Sequence, residues 1–189
     1  MSKLESRRSF LRAALLSSGL LGLNWQGLCS NSKNADCDAE LEDLFLHLQK
    51  REMKEKAALF RKLKDKYGDA VLHMVREHVI EETETKLREA KIAKRNIAGV
   101  LENLWDHTKA THEFTVVKRT DSFLKLKVAR CLYAEEMRRL KAPDIGFAFY
   151  CSYDYGFCRG LNPRIKFSRT QTLMEGADGC DHTYELKPA

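Results

Sequence analysis

Four cysteines lie between residues 131 and 180, and thiol chemistry makes this third of the chain the first candidate for a functional site. Cys131 stands where the sequence pattern changes from strand to helix. A thiol at a helix N-terminus is expected to have a lowered pKa, because unpaired backbone N–H groups stabilise its thiolate. Cys151, Asp154 and Cys158 are spaced i, i+3 and i+7, so a helix would present them on one face.

Cys180 is followed two residues later by His182, so both side chains would point to the same face of a strand. Thiols, a carboxylate and an imidazole are the components of nucleophilic and general-base catalysis. We therefore predict Cys131, Cys151, Asp154 and His182 as the catalytic residues. Cysteines also fill apolar cores, and they form disulfides in oxidising compartments, so both structural interpretations stay open for each thiol.

No metal site is predicted. The chain has no C-x-x-C pair, and its thiol spacings do not match structural zinc modules. His107 and His112 are five residues apart rather than four. We interpret them, together with His73 and His78, as surface or packing residues on helical segments. No motif in the sequence identifies a cofactor.

The elements that must position these residues differ between the two halves of the chain. Leu41, Leu44, Phe45 and Leu48 recur at i, i+3, i+4 and i+7, which predicts a helix, and similar stripes follow as far as residue 105. Gly68 is expected to end one of these helices. The N-terminal half is therefore predicted to consist of four or so helices.

After about residue 113 the apolar period changes from 3.6 to 2, with Leu124, Leu126 and Val128 alternating with lysines. The predicted strands are 114–118, 123–130, 165–173 and 181–186. The predicted later helices are 132–140 and 145–157. This order indicates an α+β domain, in which N-terminal helices and two further helices cover an antiparallel sheet of about four strands.

The charge of the chain is weak evidence for a nucleic-acid partner. The net charge is +6 over 189 residues, and half of it comes from four basic residues and one acidic residue among the first thirty. The rest of the chain is nearly balanced, whereas a protein that binds a phosphate backbone has clustered basic residues. We expect no nucleic-acid partner.

The first thirty residues have the layout of an export signal. Residues 6–12 read S-R-R-S-F-L-R and precede a short apolar stretch, and the paired arginines are typical of the twin-arginine route. The apolar stretch is too short for a stable membrane span. The predicted organisation is a twin-arginine signal at 1–29, a polar linker at 30–40 and a domain at 41–189. We therefore expect the twin-arginine machinery as a partner and a periplasmic or otherwise exported protein, with lipid attachment at Cys29 as a weaker alternative.

Three blocks with fixed spacing lie in the C-terminal third. They are Cys151-x-x-Asp154, Asn162-Pro163 and the run R-T-Q-T-L-M-E-G-A-D-G-C-D-H from Arg169 to His182. Together they resemble the C-terminal signature of the L-2-amino-thiazoline-4-carboxylic acid hydrolase family, and Lys66-Tyr67-Gly68 is similar to its N-terminal half. The resemblance covers residues 41–186. It implies hydrolytic opening of a cyclic amidine-like thioether to an N-carbamoyl-cysteine-type product.

Such a reaction requires attack by water or a thiolate on the carbon between nitrogen and sulfur, and protonation of the ring nitrogen. Asp154 is expected to hold the amidine or to act as a base, and either Cys131 or Cys151 to act as nucleophile. Arg169 is expected to bind the substrate carboxylate through two hydrogen bonds. The predicted substrate-binding residues are Asn162, Arg169, Thr170, Thr172, Glu175 and Cys180.

Two other functions remain open. A helix-covered sheet that ends in E-G-x-x-x-C also resembles, more loosely, small-molecule sensor domains related to vinyl-reductase proteins, which would bind a ligand without turnover. An exported redox or thiol-handling protein is a third possibility, and it would depend on the state of the cysteines.

Overall fold

The computed structural model describes residues 34–188. The predicted export signal and Cys29 lie outside these residues. The helices are α1 (Asn34–Tyr67), α2 (Ala70–Glu89), α3 (Ile97–Asn103), α4 (Leu132–Arg139), α5 (Pro143–Gly146) and α6 (Tyr153–Leu161). The strands are β1 (His112–Arg119), β2 (Phe123–Cys131), β3 (Ile165–Ser168) and β4 (Cys180–Leu186). A 3₁₀ turn covers Trp105–His107, and a π-helical segment covers Phe147–Cys151.

The chain divides into two compact units, with the boundary between Glu52 and Met53. In the unit that ends at Glu52, the described residues 34–52 are helical. The helix begins at Asn34, within the segment 30–40 that the sequence predicts as a linker. The unit from Met53 to Ala189 contains the sheet and all of the candidate site. In the part of the chain from 34 to 188, no helix has both the length and the apolar character that a bilayer crossing needs.

The four strands form one antiparallel sheet in the order β1-β2-β4-β3. Leu124, Leu126 and Val128 on β2 are fully buried, so the predicted alternation along this strand is confirmed. On β4, Cys180, His182 and Tyr184 are buried at every second position. The two central strands therefore direct their alternate side chains into the core, and the predicted α+β architecture is confirmed.

The core of this unit lies between the sheet and helices α3 and α6. Apolar side chains from both layers fill it, which is the usual way for a half-covered sheet to bury its inner face. Its members are Ile97, Val100, Leu101, Leu104, Trp105, Leu124, Leu126, Val128, Phe157, Cys158, Leu161, Ile165, Cys180 and Tyr184.

Helix α6 packs against α2 at a distance that only glycine allows. A Cβ atom on Gly156 would lie 2.4 Å from the carbonyl oxygen of Ile80, and one on Gly160 would lie 2.6 Å from that of Glu84. Both distances are far below ordinary van der Waals contact. The spacing of these two glycines therefore fixes how deeply α6, and Asp154 in its first turn, enters the domain.

Gly68 ends α1, as the sequence predicts. Its φ is +74°, in the left-handed region that favours glycine, and its amide donates to the carbonyl of Lys64 at 2.7 Å. The stretch from residue 41 to this glycine is part of one continuous helix.

The predicted strand 165–173 is too long, since β3 ends at Ser168. The amides of Thr170 and Gln171 each donate to Oδ1 of Asp181 at 2.9 Å, and the Thr170 hydroxyl donates to Oδ2 at 2.6 Å. Because these amides bond to a side chain, they do not continue the β-ladder. Residues 169–179 instead form a loop whose Gly176 has φ +101°.

The predicted helix 145–157 is longer and less regular than expected. Helical structure begins at Pro143 and reaches Leu161, but Phe147–Cys151 is π-helical. The amide of Ser152 donates to the carbonyl of Phe147, five residues earlier, at 3.1 Å. Single π-turns of this kind occur often at functional sites.

Candidate active site

Three side chains from α6, the loop after β3, and β4 meet at one buried point. Nη1 of Arg169 donates to Oδ2 of Asp154 at 2.8 Å, and Nε2 of His182 lies 3.3 Å from the same oxygen. The side chains of Arg169, His182 and Asp154 are 3%, 5% and 14% exposed. We call these three residues the carboxylate cluster.

Asp154 is an ionised carboxylate despite its position. Burial acts to raise its pKa, but the hydrogen bond with His182 and the positive charge of Arg169 outweigh burial, and the pKa is lowered overall. Arg169 stays positively charged, since the charge of Asp154 outweighs the effect of burial on its pKa. The cluster therefore contains a buried ion pair with an imidazole attached.

The imidazole of His182 is held in one orientation. Nε2 lies 3.3 Å from both Oδ2 of Asp154 and Nη1 of Arg169. We assign the hydrogen to Nε2, which then donates to Asp154, because a hydrogen on Nδ1 would be a buried donor without an acceptor; Nδ1 therefore carries a lone pair. Nδ1 is buried and has no hydrogen-bond partner in the described part of the chain. Phe167 stacks on the ring at 5.6 Å, and Trp105 meets it edge-on at 4.9 Å. A buried, unpaired lone pair beside a carboxylate can accept a proton or bind a polar ligand atom.

A second pair of reactive groups lies across the β1–β2 hairpin. Sγ of Cys131 is 3.3 Å from Nε2 of His112, and Nδ1 of the same ring is 2.9 Å from Oγ1 of Thr111. Thr111 is buried, and its hydroxyl donates to the carbonyl of Thr108 at 3.1 Å. We call Cys131, His112 and Thr111 the thiol–imidazole chain.

Both partners in this chain are neutral. Burial lowers the pKa of His112 from 6.5 to about 4 and raises the pKa of Cys131 from 9.0 to about 12. The structure places Cys131 at the N-cap of α4, as predicted. The expected lowering of its thiol pKa is wrong, because burial has a larger effect than the backbone N–H groups of Tyr133 and Ala134.

His112 is the functional candidate that sequence reasoning missed. It was assigned to a helical segment as a packing residue, but it is the first residue of β1 and pairs with Cys131 in the strand register. The register of the β1–β2 pair shifts between Glu113 and Phe114 and again between Val116 and Lys118. The partner of His112 could therefore not be found by counting along two regular strands.

Trp105 connects the two groups of reactive side chains. Its ring lies 4.9 Å from that of His182 and 6.1 Å from that of His112, edge-on to both. Its Nε1–H donates to the buried hydroxyl of Tyr184 at 3.1 Å, which fixes the indole in the core. The carboxylate cluster and the thiol–imidazole chain therefore both contact one aromatic ring.

The cysteines 131, 151, 158 and 180 are all free thiols. The carbonyl of Cys151 accepts from Nη2 of Arg169 at 3.3 Å, and Sγ of Cys180 accepts from the amide of Leu173 at 3.2 Å. Burial raises the pKa of Cys151, Cys158 and Cys180. None of these three thiols has an imidazole within hydrogen-bond distance in residues 34–188.

The other predicted substrate-binding residues make hydrogen bonds that shape the backbone. The side-chain Nδ2 of Asn162 donates to the carbonyl of Arg95 at 2.7 Å, and its Oδ1 accepts from the backbone amide of Arg164 at 3.0 Å. Thr172 donates to Glu175 at 2.8 Å inside the loop. The hydroxyl of Thr170 donates to Asp181, and this hydrogen bond fixes the backbone next to Arg169.

A separate groove of about 220 Å³ runs along α2. Its lining includes His78, Thr83 and Tyr153, but no member of the carboxylate cluster or the thiol–imidazole chain. Tyr153 precedes Asp154 in α6, so the groove and the cluster lie on different faces of that helix. Within residues 34–188, no group of three or more His, Cys, Asp or Glu side chains is arranged to bind a metal.

The comparison with protein families gives one match. The family model described as L-2-amino-thiazoline-4-carboxylic acid hydrolase matches residues 46–184, which include every residue of both reactive groups. No curated protein and no solved structure matches the chain.

Proposed function

We propose that this chain, which belongs to the L-2-amino-thiazoline-4-carboxylic acid hydrolase family, opens the ring of an aminothiazoline carboxylate or a close cyclic amidine analogue. The observation that supports this proposal best is the buried Asp154–Arg169–His182 cluster. Arg169 supplies a fixed positive charge for the carboxylate of an anionic amidine substrate. His182 supplies an acceptor for the proton of the attacking water.

The proposed reaction consumes one water molecule. Oxygen adds to the ring carbon that is bonded to two nitrogens and one sulfur, and the bond from that carbon to sulfur breaks. The sulfur leaves as a thiolate and takes up a proton. The product is a cysteine whose amino group carries a carbamoyl substituent, so its new thiol provides a direct assay.

Each member of the cluster has a separate task in this scheme. Nδ1 of His182 accepts a proton from the attacking water, and Asp154 holds the ring through Nε2. Arg169 gives one N–H to Asp154 and another to the carbonyl of Cys151. A guanidinium has five N–H donors, so the others stay available for the carboxylate of the substrate.

Incubation of the purified protein with aminothiazoline carboxylate, followed by titration of the released thiol, tests the proposal. We expect turnover by the wild type and at least a hundredfold loss in Asp154→Asn, since the imidazole loses its anionic partner. Asp178→Asn is the matched control, because Asp178 is an exposed aspartate in the loop that begins with Arg169. Substrate binding without thiol release by the wild type would contradict the proposal and favour the sensor-domain alternative.

The N-terminal residues support a second proposal, that the protein is exported by the twin-arginine machinery. The supporting feature is the run S-R-R-S-F-L-R at residues 6–12. In a host with that pathway, the full chain is expected in the exported fraction, and the double variant Arg7→Lys/Arg8→Lys in the cytoplasm. Arg12→Lys is the control. Equal export of both variants would contradict the assignment.

A further inference from the structure

We propose that Cys131 is the nucleophile of the hydrolase reaction, that His112 accepts its proton, and that Thr111 positions His112. This inference rests on the proposed function and adds to it the atom that first attacks the substrate. The distances that carry it are 3.3 Å from Sγ to Nε2 and 2.9 Å from Nδ1 to Oγ1 of Thr111.

The direction of each hydrogen bond follows from the number of hydrogens available. The hydroxyl of Thr111 has one hydrogen, which it donates to the carbonyl of Thr108 at 3.1 Å. Toward His112, Oγ1 can therefore only accept, so Nδ1 carries the hydrogen of the neutral ring. Nε2 then has a lone pair, and the hydrogen between it and Sγ of Cys131 belongs to the thiol. The imidazole is thus already oriented as a base.

Cys131 differs from the other thiols in this respect. Cys158 lies in the apolar core, and Sγ of Cys180 accepts a hydrogen from the amide of Leu173. Cys151 is near the charge of Arg169, but no base contacts its thiol in the described residues. Among the four thiols that the structure describes, only that of Cys131 has both a base and, through Thr111, a group that holds that base in the correct tautomer.

The covalent steps balance in atoms and protons. The thiol proton passes to Nε2 of His112 as Sγ attacks the ring carbon, and the bond from that carbon to the ring sulfur breaks. The ring sulfur takes the proton from His112, which leaves an isothiourea linked to Cys131. Water, activated by His182, then adds to the same carbon, and the bond to Sγ breaks. The sulfur of Cys131 recovers a proton, and the N-carbamoyl product leaves.

The ring opening gives the intermediate a distinctive mass. The leaving sulfur stays tethered to the rest of the substrate, so the adduct retains every substrate atom. Acid quenching during turnover, followed by intact-protein mass spectrometry, should detect a species heavier by one whole substrate. Peptide mapping should place it on Cys131, and placement on another residue or absence of the species at all quench times would overturn the proposal.

Variants separate the roles of the three residues. We expect at least a thousandfold loss of turnover in Cys131→Ala, at least a hundredfold loss in His112→Gln, and no more than threefold loss in the control Cys158→Ala. Thr111→Val should lower kcat about tenfold without raising KM, and Thr111→Ser should restore it, because serine keeps the acceptor for Nδ1–H. Equal loss in Thr111→Val and Thr111→Ser would show that Thr111 has only a packing role.

The outcomes distinguish this proposal from the proposed function. If the wild type turns over substrate and Cys131→Ala retains a third of that rate, the hydrolase assignment stands and the nucleophile is wrong. If the wild type has no activity, alkylation by iodoacetamide still decides the role of His112. The alkylation rate of Cys131 should fall at least tenfold in His112→Gln relative to the wild type, and an unchanged rate would overturn the proposal.

Discussion

Arg169 and Asp154 form an ion pair of 2.8 Å that is almost completely shielded from water. It joins the first turn of α6 to the residue that follows β3, fifteen positions later in the chain. A pair of this kind contributes little net stability, but the loss of one partner leaves an uncompensated buried charge. The same contact holds the charge that the proposed reaction requires.

Removing either member of this pair should be more harmful than removing both. We expect Asp154→Leu and Arg169→Met each to lose about 3–5 kcal/mol in the free energy of unfolding, because each leaves one partner unpaired. The double variant Asp154→Leu/Arg169→Met should recover most of that loss while remaining inactive. Urea unfolding and the thiol-release assay, run on all three proteins, check both parts. Additive losses of stability would contradict a coupled pair.

Much of the fold follows from local patterns. The alternation of Leu124, Leu126 and Val128 with lysines predicts a strand with one buried face, and the structure confirms it. Gly68 predicts a helix end because few other residues adopt a positive φ. The end of β3 could not be predicted in this way. Asp181 accepts hydrogen bonds from the backbone amides of Thr170 and Gln171, which would otherwise have continued the strand. This contact depends on tertiary structure.

The candidate site was predictable in its members but not in its electrostatics. Asp154, Arg169 and His182 were selected by residue type, and the structure brings them together. The expected low pKa of Cys131 was wrong, because a helix terminus is visible in sequence whereas the depth of burial is not. His112 was missed because a lone histidine in sequence gives no sign of its partner across a hairpin.

The contact between α6 and α2 should not tolerate a methyl group. Alanine at Gly156 would place its Cβ 2.4 Å from the Ile80 carbonyl, so the helices must separate. We expect Gly156→Ala to lower the free energy of unfolding by about 1–3 kcal/mol. This is the net change, after the gain of about 1 kcal/mol that alanine brings in helix propensity. Because Asp154 is two residues away, the rate of thiol release should fall as well.

Arg159→Ala is the control for this prediction, since Arg159 is exposed on the same helix. It should change the free energy of unfolding by less than about 0.5 kcal/mol. Thermal unfolding of both variants provides the comparison. A Gly156→Ala protein as stable as the wild type would mean that the two helices can separate at no cost.

The pKa of His112 predicts how stability depends on pH. Burial lowers this pKa from 6.5 to about 4, so below pH 6.5 the unfolded chain binds a proton that the folded chain does not. Stability should therefore decrease as the pH falls from 6.5 to 4 and then level off for this group. The shift in the pKa of His112 should lower the free energy of unfolding by about 3 kcal/mol over this range, since each unit of pKa corresponds to about 1.36 kcal/mol.

The difference between wild type and His112→Gln isolates that contribution from the carboxylates that titrate in the same range. Urea unfolding at pH 7.5 and pH 4.5 should show a smaller decrease in the variant than in the wild type. Equal decreases in the two proteins would indicate that His112 is protonated in the folded state.

Asp181 should determine substrate affinity through Arg169, although it does not belong to the carboxylate cluster. Its carboxylate accepts three hydrogen bonds from Thr170 and Gln171, which fix the backbone next to the guanidinium. Asp181→Ala removes all three, whereas Thr170→Val removes only the hydroxyl contact. If Arg169 binds the substrate carboxylate, KM should rise about tenfold or more in Asp181→Ala, a loss of about 1.4 kcal/mol in binding. It should change less in Thr170→Val, and kcat should be nearly constant in both. Steady-state kinetics of the two variants measures this, and a fall in kcat at constant KM would assign Arg169 to the chemical step instead of substrate binding.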